Sequence, residues 1–555
     1  MAIQAPHVRW RPLLVAVLAV AAGLAALWIT VEPIYLANDD AAIRLTVTGG
    51  DLPDEPAASY LVFTHEVLGR VVVAVQRLLP GVFVWDVVLA AALMAGVGAL
   101  LGTAVGAWSG GYAGAVALFA MLVTIVPFAA GLQFTISAVI CAGAAVVVAV
   151  CEVSWSARPR RSVLVTATVL LVAGYSIRPL AVEGAVVVLL ACFVPVAVAR
   201  QPRWTRLLRL GGVAALVCAG FVTLDVLNRA LYPDNGGWAE FYTHTWQLVN
   251  LIDWNSAARD AQRAAILDAA GWTANDWNML WKGWAGTDWT LFGPEPVARA
   301  YAVLSANSTS LDRVRAAAAG LEPRGVAALV ASLAIPCAVA LLFAAGVATW
   351  RGVALATVLV LEFLAICVAI QGGFKELPFR LLAPLSACFV AIVVIAVAEH
   401  RRGSQTWLSG IAAVALIVLF AQQAGAAVQQ ARAEIDHARS MEEQVQAMLR
   451  LNPSIVVLHG DAFPMEHWWR PFHEPPVRFP MIRLGGNNGN PRQREFLKTT
   501  GRSRLLVSIC EDPSIFVVAE AGTIEMVPVY MAEHAGRSVA VEPVFEASFT
   551  AWRCR

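Results

Sequence analysis

Asp39 and Asp40 stand side by side in "ANDDAAIRLTVTGG", residues 37 to 50, close behind the nineteen uncharged residues Pro12 to Thr30. Adjacent carboxylates can do two kinds of chemistry. One raises the proton affinity of the other, which suits a general base, and together their oxygens suit a hard divalent cation such as Mg or Mn. The same pair would also serve as a plain solvated loop, so the surrounding elements must decide. A third acid, Glu362, falls in the middle of an apolar run, where an ionisable group is costly and faces a partner or a cavity.

Composition places these acids in a membrane protein, because the 555 residues are 59% hydrophobic and only 14% charged. A helix needs about 20 mostly apolar residues to cross the hydrocarbon core. Eleven runs qualify: 12–30, 82–107, 111–126, 132–150, 162–177, 180–199, 210–227, 326–349, 353–371, 381–398 and 407–424. The first lacks a small-residue cleavage site and is read as a span rather than a signal peptide. With the N-terminus in the cytoplasm, the basic stretches "HVRWRP", "SARPRRS", "RQPRWTRLLR", "TWRG" and "EHRRGSQ" all fall inside, as the positive-inside rule requires.

The expected architecture is an α-helical polytopic membrane domain, residues 1 to 425, with outer loops 31–81 and 228–325. An extracytoplasmic α/β or α+β domain of residues 426–555 follows. In the first outer loop, "ASYLVFTHEVLGRVVVAVQRLL" has the period of a helix lying on the membrane surface. The second carries eight tryptophans, which suit an interfacial belt, stacking on sugar rings or a lipid groove. The tail opens with the helical "ARAEIDHARSMEEQVQAMLR" and continues with strand-like runs at "SIVVLHG", "RLLVSIC" and "SIFVVAE". Of the nine cysteines, seven lie in or beside spans, and only Cys510 and Cys554 are placed to pair outside. No zinc spacing, Walker loop or nucleic-acid tract is present.

This layout resembles the GT-C class of integral-membrane glycosyltransferases, which includes protein O-mannosyltransferases, oligosaccharyltransferases, aminoarabinose transferases and mycobacterial arabinosyltransferases. The matching features are "NDD" at 38 to 40, the surface helix near 57 to 79, the span count and the exported tail. "NDD" together with "GWTAND" at 271 to 276 also resembles a set of bacterial multi-span proteins of the cytoplasmic membrane. The resemblance implies sugar transfer from a polyprenyl-phosphate carrier to an envelope glycan, lipid or protein acceptor, with Asp39 or Asp40 as the catalytic carboxylate or metal ligand. The oligosaccharyltransferase signature is missing, since the "WW" of 468 and 469 runs into "RPF", so asparagine glycosylation is not expected.

Transfer from a lipid phosphate needs cations at the outer face to stabilise the leaving group. Arg178 in "YSIRPLAVEG", with Lys375 and Arg380 in "QGGFKELPFR", are the candidates for the donor phosphate. Arginines and lysines at span ends also simply snorkel to the interface. Two other readings remain open. A polysaccharide polymerase or ligase would rely on His244 and Arg259 of the large loop, and a non-catalytic envelope-assembly protein would need none of these residues.

Overall fold

The computed structural model describes the chain except residues 1–9, 51, 53–56, 62, 109–110, 156–158, 200–202, 232–236, 253–259, 307–322, 372–377, 401–406, 475–477 and 485–488. Every apolar run has become a helix: α1 (Trp10–Thr30), α4 (Val84–Gly106), α5 (Gly111–Ala129), α6 (Phe134–Trp155), α7 (Arg161–Ile177), α8 (Pro179–Val198), α9 (Arg203–Leu231), α15 (Pro323–Val347), α16 (Trp350–Gln371), α17 (Phe379–Val397) and α18 (Trp407–Leu449). Among the described residues nine of these are long and apolar enough to cross a membrane, while Leu14–Thr30 and Arg161–Ile177 are shorter. The protein is an α-helical integral membrane protein. At the centre of the bundle lie α6 and α17, whose side chains are buried almost throughout, because helices ringed by other helices need no polar face.

Between α1 and α4 the chain forms α2 (Asn38–Thr48) and α3 (Glu66–Leu78). The helix expected at 57 to 79 thus starts later, where the His65 side chain caps it by accepting from Val67 N. Residues 59 to 61 pack so tightly on α3 that a Cβ at Gly69 would lie 1.9 Å from the Ser59 carbonyl oxygen, so only glycine fits there. Two short parallel strands, Ile34–Tyr35 (β1) and Gly131–Leu132 (β2), tie the start of this segment to the approach to α6. The large loop between α9 and α15 holds α10 (Trp238–Ile252), α11 (Arg263–Ala270), α12 (Ala274–Trp281), α13 (Trp289–Phe292) and α14 (Pro294–Ala306).

The last span does not stop at the membrane surface. With 43 residues, α18 is about 64 Å long at 1.5 Å per residue, roughly twice the hydrocarbon thickness. Its apolar half and the polar stretch expected as a separate helix are therefore one rod. It leads into a five-stranded sheet ordered β4-β3-β5-β7-β6, with β3 at Ile455–His459, β4 at Met481–Leu484, β5 at Ile515–Val518, β6 at Val541–Glu546 and β7 at Thr550–Cys554. The run "RLLVSIC", expected as a strand, is instead the helix Leu505–Glu511. Its buried residues Leu505, Leu506 and Ile509 fall on one helical face, a pattern that so short an apolar run cannot distinguish from a strand. Cys510 on this helix is disulfide-bonded to Cys554 of β7.

Alternation along the strands gives the sheet two apolar faces. Val456, Leu458, Met481, Phe516 and Val518 join a core that continues through Met441, Val445 and Met448 of α18 and Trp468 and Trp469 into the bundle. Ile455, Val457, Ile482, Leu484 and Val517 pack on the other side against Leu251 and residues 266 to 304 of the large loop. Trp272, Trp277 and Trp284 are buried in that second core, so these tryptophans hold the outer layers together rather than forming a membrane belt.

Candidate functional site

Four helix N-termini surround Asp39 and Asp40. The pair occupies the first turn of α2, where carboxylates are stabilised by the positive end of the helix dipole. The N-terminal amide of α6 is contributed by Phe134, Arg178 directly precedes α8, and Arg380 is the second residue of α17. The β1–β2 pairing explains why α2 and α6 meet, since it fixes Tyr35 beside Leu132, five residues before Asp40 and two before Phe134.

Asp40 is completely buried. Its Oδ1 accepts a hydrogen bond from Phe134 N at 2.7 Å, while Oδ2 has no hydrogen-bond partner among the described residues. Burial pushes this carboxyl well above the usual carboxylate range; the Phe134 N–H opposes that push and the neighbouring Asp39 adds to it. The neutral acid is therefore favoured. Asp39 differs in every respect: 28% of its side chain is exposed, and its two oxygens face two guanidiniums, Oδ2 with Arg380 Nη1 at 3.6 Å and Oδ1 with Arg483 Nη1 at 3.9 Å. Both separations exceed a hydrogen bond and are electrostatic contacts.

Arg178 is buried above the pair, its guanidinium stacked 3.9 Å from the Phe63 ring centroid and 4.9 Å from that of Phe134. Phe63 adopts φ 65°, an uncommon conformation for a bulky side chain, and this turn carries the ring that stacks on Arg178. Nη1 of Arg178 is buried without a hydrogen-bond partner among the described residues. Burial lowers its pKa to about 10, with Asp39 and Asp40 pulling it back up and Arg380 pushing it down, so it stays charged at neutral pH. Asp39, Asp40, Arg178 and Arg380 are thus brought together, whereas Lys375 lies outside the described residues. Arg483, on the tail strand β4, was not among the residues expected from sequence. Nothing local in "RFPMIRLGG" marks that arginine, because its partner lies more than 400 positions away.

The donor set does not fit a divalent cation. One carboxylate faces two guanidiniums and the other is buried against a backbone N–H. Among the described residues, the grouping with cation-binding geometry is Asp276, Glu533 and His534 instead. There Asp276 Oδ1 meets His534 Nε2 at 2.8 Å, and Asp276 Oδ2 accepts from Thr273 N at 2.8 Å to close a capping box. These bonds account for the grouping as a joint between the large loop and the tail.

His244 is buried edge-on against Trp289, with ring centroids 4.8 Å apart. Burial first, and Arg494 second, hold its imidazole down at about 4, so it is neutral and enclosed. Arg259 lies outside the described residues. Glu362 is placed midway along α16, with one carboxylate oxygen buried and without a hydrogen-bond partner among the described residues.

No protein-family model matches the chain, and no curated protein sequence matches it either. Among solved structures, ArnT from Cupriavidus metallidurans bound to undecaprenyl phosphate aligns over 98% of this chain and 97% of its own, at 16% identity and a TM-score of 0.37. A likeness that weak decides neither the fold nor the chemistry of this chain.

Proposed function

We propose that this protein is a GT-C-type membrane glycosyltransferase that moves a sugar from a polyprenyl-phosphate carrier to an acceptor of the cell envelope, at the outer face of the bacterial cytoplasmic membrane. The observation that carries this reading is the charge at the site. Arg178, Arg380 and Arg483 gather around one partly exposed carboxylate, Asp39, beside a second that burial keeps neutral. Such a place suits an anion at the membrane surface with an acceptor beside it.

In this reading an acceptor hydroxyl attacks the anomeric carbon of the donor sugar. The bond from that carbon to the phosphate oxygen breaks, the polyprenyl phosphate leaves as a monoester, and Asp39 takes the hydroxyl proton. Asp39 has the role of base because a base must reach its substrate, and Asp40 is enclosed. Asp40 positions the turn by holding the α6 amide. The guanidiniums receive the charge that develops on the leaving phosphate. Lys375, five positions before Arg380 in the sequence, is proposed as a further phosphate contact.

A divalent cation at Asp39 and Asp40 would be the alternative source of positive charge, and the arginines around Asp39 speak against it. The purified protein should transfer sugar from a panel of polyprenyl-phosphate sugars to envelope extracts, and should do so in EDTA. Loss of transfer in EDTA, restored by Mg or Mn, would move the charge from the arginines to a metal. No transfer with any donor would favour the non-catalytic assembly protein. The polymerase or ligase reading relies on His244, which is enclosed edge-on against Trp289 with its imidazole held neutral, and no observation favours it.

A further inference from the structure

The tail sheet reaches into the site. Strand β4 is an edge strand of the sheet, paired with β3, and Leu458 stands beside Arg483 in the register. Because side chains alternate along a strand, Arg483 shares a face with Met481, whose side chain joins the core continuous with the bundle, while Ile482 and Leu484 join the outer core. Alternation alone therefore turns Arg483 toward the membrane helices. There its Nη1 comes within 3.9 Å of Asp39 Oδ1, while Arg380 of the bundle stands 3.6 Å from Oδ2. The exposed carboxylate is held between one guanidinium from each half of the protein.

Among the described residues, the guanidiniums of Arg178, Arg380 and Arg483 lie around Asp39 and Asp40, and because burial favours the neutral form of Asp40, positive charge is in excess there. One of the three, Arg178, is buried with a nitrogen that has no hydrogen-bond partner among the described residues, which points to a ligand rather than to a snorkelling surface residue. A sugar-loaded carrier is a phosphodiester and brings one negative charge. The spent carrier is a phosphomonoester and brings close to two.

We infer that Arg483 of the tail, with Arg178 and Arg380 of the bundle, forms a dianion site beside Asp39 that holds a lipid phosphomonoester in preference to a phosphodiester. This rests on the reading of the site as one for polyprenyl phosphates. The tail is then part of the binding site, and the product of transfer competes with the donor that replaces it. Release of the spent carrier becomes a step that the tail controls.

The test uses the full chain in lipid nanodiscs, with undecaprenyl phosphate as the monoester and its methyl ester as a diester free of any sugar. Wild type should bind the monoester more tightly. Arg483→Ala and the longer uncharged Arg483→Gln should each weaken monoester binding about ten- to a hundredfold, the usual worth of a charge-assisted contact, and weaken the methyl ester less. Arg483→Lys should recover part of the loss. Arg478→Ala, which breaks only an exposed pair with Glu474 on the same tail, should change neither affinity. If wild type binds and Arg380→Ala weakens binding, but both uncharged Arg483 variants bind like wild type, the tail has no part in the site. An equal loss of monoester and diester binding in those variants would overturn the preference for the dianion. If wild type binds neither lipid, the underlying reading falls as well.

Discussion

Two charged clusters grow from the same short helix, one turn apart, and they are built on opposite principles. Arg44 and Asp86 are both buried and matched, one positive charge to one negative, at 3.2 Å. Asp86 also accepts from Tyr35 Oη at 2.5 Å and from Phe472 N at 2.7 Å, while Arg44 donates to the carbonyls of Arg470 and His473 and lies between the rings of Phe83 and Trp469. That cluster fastens residues 470 to 473 of the tail to α2 and the start of α4, and pairs one positive charge with one negative. Asp39 and Asp40 belong instead to a cluster in which, among the described residues, positive charge is in excess; buried atoms without a hydrogen-bond partner occur in both, Arg44 Nε in the first and Asp40 Oδ2 and Arg178 Nη1 in the second, so the charge balance is what separates them. Balanced charge holds structure together, whereas unbalanced charge at a surface asks for a ligand.

The comparison breaks first at Asp39. Asp39→Asn should lower the transfer rate by about a hundred- to ten-thousandfold, the usual cost of losing a general base, while yield and melting temperature stay close to wild type. Binding of undecaprenyl phosphate should be unchanged or tighter, because one negative charge has left the surroundings of three arginines. Rate, affinity and melting temperature are to be measured on the same preparation. Weakened lipid binding together with the lost rate would mean that Asp39 holds the arginines in place rather than acting as the base.

The opposite behaviour is expected one turn later. Arg44→Ala leaves Asp86 buried without its cation, and breaking such a pair costs about 3–5 kcal/mol. The variant should accumulate poorly and melt early, yet the fraction that folds should transfer sugar at close to the wild-type rate. Transfer rate per folded molecule checks this. A stable but inactive protein would place Arg44 among the site residues and dissolve the contrast between the clusters.

How much of this was legible in the sequence depended on the range of the signal. The apolar helices could be read because a membrane imposes a local rule, a run of apolar residues of fixed length; among the described residues nine of the eleven expected spans meet it, and Leu14–Thr30 and Arg161–Ile177 are shorter. Asp39 and Asp40 could be noticed because they are adjacent, and Arg178 and Arg380 because short loops between spans leave few places to stand. Arg44, Asp86 and Arg483 could not. Arg44 sits in "AAIRLTVT" like any helix residue, and Asp86 opens a span like any residue with a favourable place at a helix N-terminus. Their meaning comes from partners brought in by the fold, with Phe472 and Asp86 386 positions apart. Trp272, Trp277 and Trp284 mislead for a related reason, since tryptophan suits a membrane interface and a buried core between loop and tail equally well, and only burial tells the two apart.

The smallest effect sharpens the comparison inside the pair itself. Burial raises the folded-state pKa of Asp40 above that of the unfolded chain, so its contribution to stability is complete below the unfolded carboxylate pKa of about 3.9 and is lost as pH rises through the folded value. An asparagine side chain in its place has the shape of the neutral acid, can still accept from Phe134 N, and never ionises. Asp40→Asn should therefore match wild type near pH 4 and become the more stable of the two as pH rises, by about 1.4 kcal/mol for each unit of pH until the folded pKa is passed. Melting temperatures of both proteins between pH 4 and 9 would show two curves that part upward. Curves that stay parallel would mean that Asp40 is ionised throughout and that a cation, rather than burial, sets its charge. Transfer rates complete the test: Asp40→Asn should keep most of the activity that Asp39→Asn loses, because only the partly exposed carboxylate can take a proton from an acceptor. An equal loss in both variants would give the role of base to Asp40, and the surplus of positive charge around the pair would then be smaller by one.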